Sequence, residues 1–337
     1  MGKKIVAFAL IMTLSLTFLE SCGSENSHSK GDPLILTMAE LNPVDTIVGK
    51  MDVKFKEAVY ELSGGSIVID LHTDSVLGDE AQTIQNMLSD NPTIDLYRAS
   101  ASSLAPYGTE DWGLLTIPYN FSDKEHIWNF VNSDLGVEVL LEPHNKGIGV
   151  RGLFFGEEGF RSFFTVDEVN CVEDLQGKAI RVSDDPVMRG MVEGLGATPV
   201  VISFPDLYAS LRTGKADGAE QPVANYKSNY FYDVAPNLIL DKHTLGITAV
   251  IITDSCWDSL TTEQQSILID AGKIASDYCR QISDQAENEV IRDLKVLGVN
   301  VVDVTDVTPW QEACKDIISK ESATNPELYS QILAFDE

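Results

Sequence analysis

The chain has 337 residues, with 52 acidic against 24 basic side chains and a formal net charge of −28. A surface this negative repels nucleic acid and anionic lipid heads, which argues against both as partners. Capture of an anion by such a protein needs positive charge concentrated at one point, and only eight arginines are present to supply it.

The first residues read as an address. Lys3 and Lys4 precede an apolar run from Ile5 to Leu19, interrupted by Thr13, Ser15 and Thr17. The run is shorter than the ~20 apolar residues of a membrane span and fits a secretory signal segment. It ends in Leu19-Glu20-Ser21-Cys22, which resembles a bacterial lipobox in which cleavage leaves Cys22 to carry acyl chains. The alternative is an ordinary signal peptide cut nearby, with Cys22 incidental. Residues 1–22 are thus read as a signal peptide with lipobox and 23–33 as a polar tether. The expected location is extracytoplasmic, in the periplasm or on the outer face of the cell membrane, with membrane contact only through the lipid anchor. The roughly 305 residues that follow suffice for one large or two medium domains.

Leu34 to Ala39 reads as a buried strand, Asp45 to Leu62 as an amphipathic helix closed by Ser63-Gly-Gly65, and Ser66 to Leu71 as a second strand. A helix over 79–88 and a strand over 93–99 complete a β-α-β-α-β order, which predicts an α/β layer with a largely parallel sheet. Ligands in such sheets sit beyond the carboxyl ends of the strands, where Glu40 to Asn42 and Arg98 to Ser100 fall. A second unit repeats the pattern: strand 177–182, helix 186–195, strand 199–202, helix 205–213, then a turn into Ala219-Glu-Gln-Pro222. Leu245 to Thr253 is another β-branched strand. A long helical pattern starts near Trp257, has Thr262 and Gln265 in capping-box spacing, and runs to about Leu297. At ~1.5 Å per residue it reaches about 50 Å, so it either bends or packs across both units. The expected fold is α/β: a two-lobed, periplasmic-binding-protein-like clamshell with mixed, largely parallel sheets and a long helix spanning both lobes. Lobe I comprises 34–157 plus 247–288 and lobe II 158–246 plus 289–337.

Gly147-Ile-Gly-Val-Arg-Gly152 matches G-x-G-x-x-G by letter, but a turn precedes it and strand-like Leu153 to Phe155 follows, the reverse of a nucleotide site. No nucleophile elbow, H-E-x-x-H or P-loop occurs, and the five histidines have no ligand spacing. Cys171, Cys256, Cys279 and Cys314 lie far apart without C-x-x-C, which disfavours a zinc site; one disulfide or four thiols are the alternatives. No cofactor, metal or catalytic group is expected.

Two arginines lie among apolar neighbours on predicted strands: Arg181 in Lys178-Ala-Ile-Arg-Val182 and Arg161 in Gly159-Phe-Arg-Ser-Phe163. A buried guanidinium must meet a carboxylate, either the protein's own or a ligand's, and its planar fork suits bidentate capture.

From about Leu34 to Val302 the chain resembles the extracytoplasmic solute-binding subunits of tripartite ATP-independent periplasmic (TRAP) transporters, the dicarboxylate-binding DctP family. The resemblance runs in order through Leu77-Gly-Asp-Glu80, Leu115-Thr-Ile-Pro-Tyr119, Gly159-Phe-Arg161, Asp174 to Val182, Leu195-Gly-Ala-Thr-Pro199, Leu207 to Gly214, Ala216-Asp-Gly-Ala-Glu220 and His243. It implies a monomeric binder, not an enzyme, that delivers a carboxylate-bearing solute to membrane permease subunits. It also implies that Arg181 makes the bidentate pair with the ligand carboxylate, that Arg161 is a second contact, and that Phe204 packs on the ligand body. The family's motif asparagine is Gln221 here, one methylene longer. The stretches Asp95-Leu-Tyr-Arg98 and Asp241-Lys-His243 resemble sugar-acid binders more closely, which favours a uronate, with Glu40, Asn42 and Arg98 bonding ligand hydroxyls. A C4-dicarboxylate or other organic-acid binder, a sugar-acid enzyme on a similar scaffold and a ligand-sensing lipoprotein are the competing readings.

Overall fold

The loop that opens the first helix shows how tightly the chain is drawn together near the future site. Thr46 caps the helix Ile47–Leu62 by accepting a hydrogen bond from Gly49 N at 3.0 Å, and Val48, Met51, Phe55 and Val59 turn inward from it. The structure is a computed structural model that describes residues 32–336; the signal segment, Cys22 and residues 23–31 of the tether lie outside the described residues.

Strands β1 (Leu34–Ala39), β2 (Ile67–His72) and β3 (Leu96–Ser100) pair in parallel in the order β2-β1-β3. Two long antiparallel strands, β4 (Val150–Thr165) and β8 (Asn237–Thr253), cross the middle. Beyond them β5 (Ala179–Val182), β6 (Thr198–Val201) and β7 (Gly218–Pro222) pair in parallel in the order β7-β5-β6, and β9 (Asn300–Asp303) joins β8 in parallel. The result is a mixed α/β fold on one nine-stranded, mostly parallel sheet, in which β4 and β8 merge the two strand sets expected from sequence.

The register of those two long strands explains where a ligand site must form. β3 runs against β8 so that its carboxyl end, Ser100, meets Thr248. β7 runs against β4 so that its carboxyl end, Pro222, meets Arg161. Both sets therefore point their carboxyl ends at the centre of the β4–β8 ladder, where the ladder is also irregular. Its register shifts between Glu157 and Phe160 and again between Arg161 and Phe163, with Gly159 at φ +85° and Lys242 at φ +51°. Gly159 carries no strain at that angle, whereas Lys242 does.

The long helix is Thr262–Val296, 35 residues. Its capping box is Thr261 with Gln264, one residue earlier than the expected Thr262 and Gln265; a separate short helix, Asp254–Ser259, occupies the region around Trp257. Leu268, Ala271, Ala275 and Cys279 bury against the first strand set, and Leu294 against the second, so the helix packs across both. The expected strand 245–253 starts earlier, at Asn237, because Leu238 to Leu240 continue its apolar pattern in the second half. All four described cysteines are free thiols. The G-x-G-x-x-G segment is a turn entering β4, as its flanks predict.

Gly49 ties this packing to the site loop. A Cβ there would lie 2.4 Å from Pro43 O and 2.7 Å from Val44 Cα. Gly49→Ala is expected to destabilise the fold by about 1–3 kcal/mol, read from urea denaturation, because the loop carrying Asn42 must move aside.

Candidate functional site

A cavity of about 270 Å3 sits where the carboxyl ends converge. From the first strand set it is lined by Asn42, Glu80 and Arg98; from β4 by Glu158 and Arg161; from the second set by Arg181, Phe204 and Gln221, with Asn225 behind them. Six of the seven sequence-selected ligand residues thus share one chamber. The seventh, Glu40, lies behind Arg98 rather than on the wall.

Each arginine on the wall is held differently. Arg98, in β3, is gripped by Glu40: Nε donates to Oε2 and Nη2 to Oε1, both at 2.6 Å, while Nη1 lies 3.1 Å from Glu158 Oε1. Glu40 also accepts from the backbone and side-chain nitrogens of Asn42, at 2.6 and 2.9 Å, which fixes the loop after β1. Burial would raise the Glu40 carboxyl, but Arg98 outweighs it and holds it below its ordinary value.

Arg161, in β4, is held by a relay that begins on β8. Asp241 accepts from Phe163 N at 3.1 Å and from His243 Nδ1 at 2.7 Å; His243 Nε2 lies 3.4 Å from Glu220 Oε2; Glu220 then takes Arg161 Nε at 2.5 Å and Nη2 at 2.9 Å. Burial opposes the charge on His243, but Asp241 and Glu220 overcome it and raise its pKa to about 9, so both ring nitrogens donate at neutral pH. Burial likewise opposes the Glu220 carboxylate, yet Arg161 and His243 hold it at about 2. The alternative weighed for Arg161, an internal ion pair, is therefore present, with Nη1 left facing Glu158 at 3.5 Å.

Arg181 is the exception. It is 3% exposed, its Nε donates to Ile202 O at 2.8 Å, its Nη1 has no hydrogen-bond partner, and it forms no ion pair among the described residues. Burial lowers its pKa to about 10, with Arg161 adding repulsion and Glu220 opposing at longer range. It remains a cation at neutral pH, aimed into the cavity.

Residues 38–324 match the model of bacterial extracellular solute-binding protein, family 7. The chain belongs to this family. As a family 7 member it is a TRAP solute-binding protein, a substrate-binding transport component. Its kind binds small carboxylates and works with a membrane permease, and its relatives are periplasmic, consistent with an extracytoplasmic location. It is 27% identical over 306 residues to the sialic acid-binding periplasmic protein SiaP of Vibrio cholerae, covering 91% of this chain and 92% of that one. It is 24% identical over 298 residues to the C4-dicarboxylate-binding periplasmic protein DctP of Rhodobacter capsulatus, covering 88% and 85%. A TRAP periplasmic solute-binding protein of Xanthobacter autotrophicus Py2, solved with bound β-D-galacturonate, superposes with a TM-score of 0.83 at 26% identity, over 89% of this chain and 99% of that one.

Sequence reasoning passed over four cavity-lining groups of this family 7 member. Glu80 sits at the start of the helix Glu80–Met87, accepting from Ser103 and, at 3.4 Å, from Ser100 and Tyr97. Its place in Leu77-Gly-Asp-Glu80 was a signal. Glu158 and its neighbour Glu157 form a tandem acid inside an apolar strand, itself a legible sign of buried charge. Asn225, whose Oδ1 is buried without a partner, and Ser183 lie in segments with no such mark.

The His243 relay sets a pH dependence. A raised histidine pKa stabilises the fold fully below the unfolded value of about 6.5 and loses that contribution as pH climbs through about 9. Urea midpoints of the wild type should therefore fall between pH 6.5 and 9.5, by up to about 3 kcal/mol in stability. His243→Gln should be less stable at pH 6 and show no such decline.

Proposed function

We propose that the chain captures a monocarboxylic sugar acid of the uronate class for a TRAP permease, with Arg181 taking the carboxylate in a bidentate pair. The observation that carries this reading is the buried, unpaired Arg181 fork in a chamber whose two other arginines are already neutralised. Arg161, whose Nη1 has only the 3.5 Å contact with Glu158, supplies a second donor to the same carboxylate, Gln221 an amide, and Phe204 a face for the ligand ring. The opposite wall is rich in acceptors: Glu80, Glu158 and the side-chain Oδ1 of Asn42, which has no partner. Such a wall suits hydroxyl groups, with Arg98 and the Asn42 amide supplying donors, whereas the second carboxylate of a C4 acid would meet Glu80 and Glu158 with their charge unfavourably placed. Galacturonate in the 26%-identical Xanthobacter structure supports the same class.

The division into lobes at 34–157 plus 247–288 and 158–246 plus 289–337 belongs to this proposal. The kinked centre of β4 and β8 is the natural place for the lobes to swing, and closure around the solute would dry the Arg181 pair and strengthen it. Export by the N-terminal segment and lipid attachment at Cys22 would keep the monomeric binder near its permease.

A thermal-shift screen of D-galacturonate, D-glucuronate, succinate and malate tests the ligand class; stabilisation by the dicarboxylates alone would overturn it. Arg181→Ala should lose on the order of 100-fold or more in galacturonate affinity by calorimetry, since truncating one partner of a buried charge pair costs ~2–5 kcal/mol. Because the ligand-free protein holds that charge uncompensated, the same variant should melt no lower than wild type without ligand. Retained affinity would rule the arginine pair out.

A further inference from the structure

Behind the cavity wall, on the inner face of the helix Ile47–Leu62, Asp52 is fully enclosed, and neither of its carboxyl oxygens has a hydrogen-bond donor. The group facing it is another carboxyl, that of Glu40 at the end of β1. Arg98 from β3 and Glu158 from β4 lie beyond, and the Cys279 thiol approaches from the long helix. Three acids, Glu40, Asp52 and Glu158, therefore lie about Arg98 in dry protein, and the next guanidinium, Arg161, is held by Glu220 and reaches only Glu158 of the three, at 3.5 Å. Two buried carboxylates in contact cannot both stay ionised.

The donor count decides which of the two is neutral. Glu40 Oε1 takes three donors, from Asn42 N, Asn42 Nδ2 and Arg98 Nη2, while Oε2 takes only Arg98 Nε. Glu40 is thus the anion, with room on Oε2 for one more donor. A proton on Asp52 supplies that donor and ends the isolation of its oxygens. Burial and the Glu40 charge push the Asp52 pKa well above the usual range.

We propose that Asp52 is a positioning residue that works as a neutral acid: its hydroxyl donates to Glu40, and Glu40 so fixed sets the plane in which Arg98 faces the cavity. The inference rests on the reading of Arg98 as a ligand contact only for its effect on affinity; the state of Asp52 and its hold on Arg98 are measurable without ligand.

Three measurements test it on the mature protein. The infrared spectrum at pH 7 should contain the carbonyl band of a buried, protonated carboxylic acid that is missing in Asp52→Asn; no difference between the two would overturn the proposal. A raised aspartate pKa favours the fold below the unfolded value of about 3.9 and loses that advantage as pH rises towards the folded pKa. The stability of Asp52→Asn relative to wild type should therefore increase as pH rises from 4, and a constant difference would count against the proposal.

The third measurement separates positioning from packing. The Arg98 Nε–H resonance of the ligand-free protein should be kept in Asp52→Asn, which still donates, and shifted and faster-exchanging in Asp52→Leu, which cannot. With D-galacturonate as probe, Asp52→Leu should bind about tenfold more weakly and Asp52→Asn within about threefold of wild type, the span expected when a buried acceptor loses or keeps a donor. Equal Arg98 signals and equal affinities in Asp52→Leu and wild type would leave Asp52 a packing residue and sink the idea. Should Asp52→Leu not fold, the infrared band and the Asp52→Asn stability profile still decide. If galacturonate fails to bind wild type, the uronate assignment falls while the band, the stability profile and the Arg98 resonance still judge Asp52.

Discussion

A guanidinium taken out of water without a counter-ion is costly to fold around, and Arg181 is in that position. Nothing in the second strand set neutralises it: Glu220, the nearest candidate, is spent on Arg161 and His243. The rest of the site follows from keeping it so. A mobile carboxylate within reach would collapse onto Arg181 and close the site to any other anion. Four acids around the chamber are accordingly tethered: Glu40 by Arg98 and Asn42, Glu220 by Arg161 and His243, Glu158 between Arg98 and Arg161, and Glu80 by hydroxyls. The relay from Asp241 to Arg161 is a restraint on charge as much as a source of stability.

These restraints depend on the sheet. Strand ends converge on one chamber only because β4 and β8 run through both strand sets in opposite directions, so that each set meets the ladder from its own end. The same ladder is broken at its centre by Gly159 and Lys242. The charges are thus fixed within each set, while the joint between the sets is the least regular stretch of the sheet.

Much of this was legible in the chain alone. The β-α-β order, the long helix and the two strand-borne arginines follow from apolar periodicity and from the cost of burying charge. The ordered motifs pointed to the family, and the chamber gathers the residues those motifs marked. What escaped was relational. Whether Arg161 or Arg181 carried an internal partner depended on Glu220, which is adjacent to Gln221 in sequence but opposes Phe163 across the sheet. Glu40 read as a wall residue because a strand end usually faces the ligand; its bidentate pairing with Arg98, 58 residues away, turns it behind the wall instead. The one-residue error at the start of the long helix is of another kind: Thr261 and Thr262 are both competent caps, and only the backbone turn after Leu260 chooses between them.

The β4–β8 ladder also bears on how the chain comes to be folded. Its partners lie roughly 70 to 100 residues apart, a separation that makes the pairing slow to close compared with local helices and hairpins. The chamber draws on segments from Asn42 to Asn225 and cannot exist before that ladder does. A nascent chain would therefore hold formed helices well before it held any affinity for solute, so recovery of binding after dilution from denaturant should lag behind recovery of helical signal. Late closure of its central strands is written into the order of its elements.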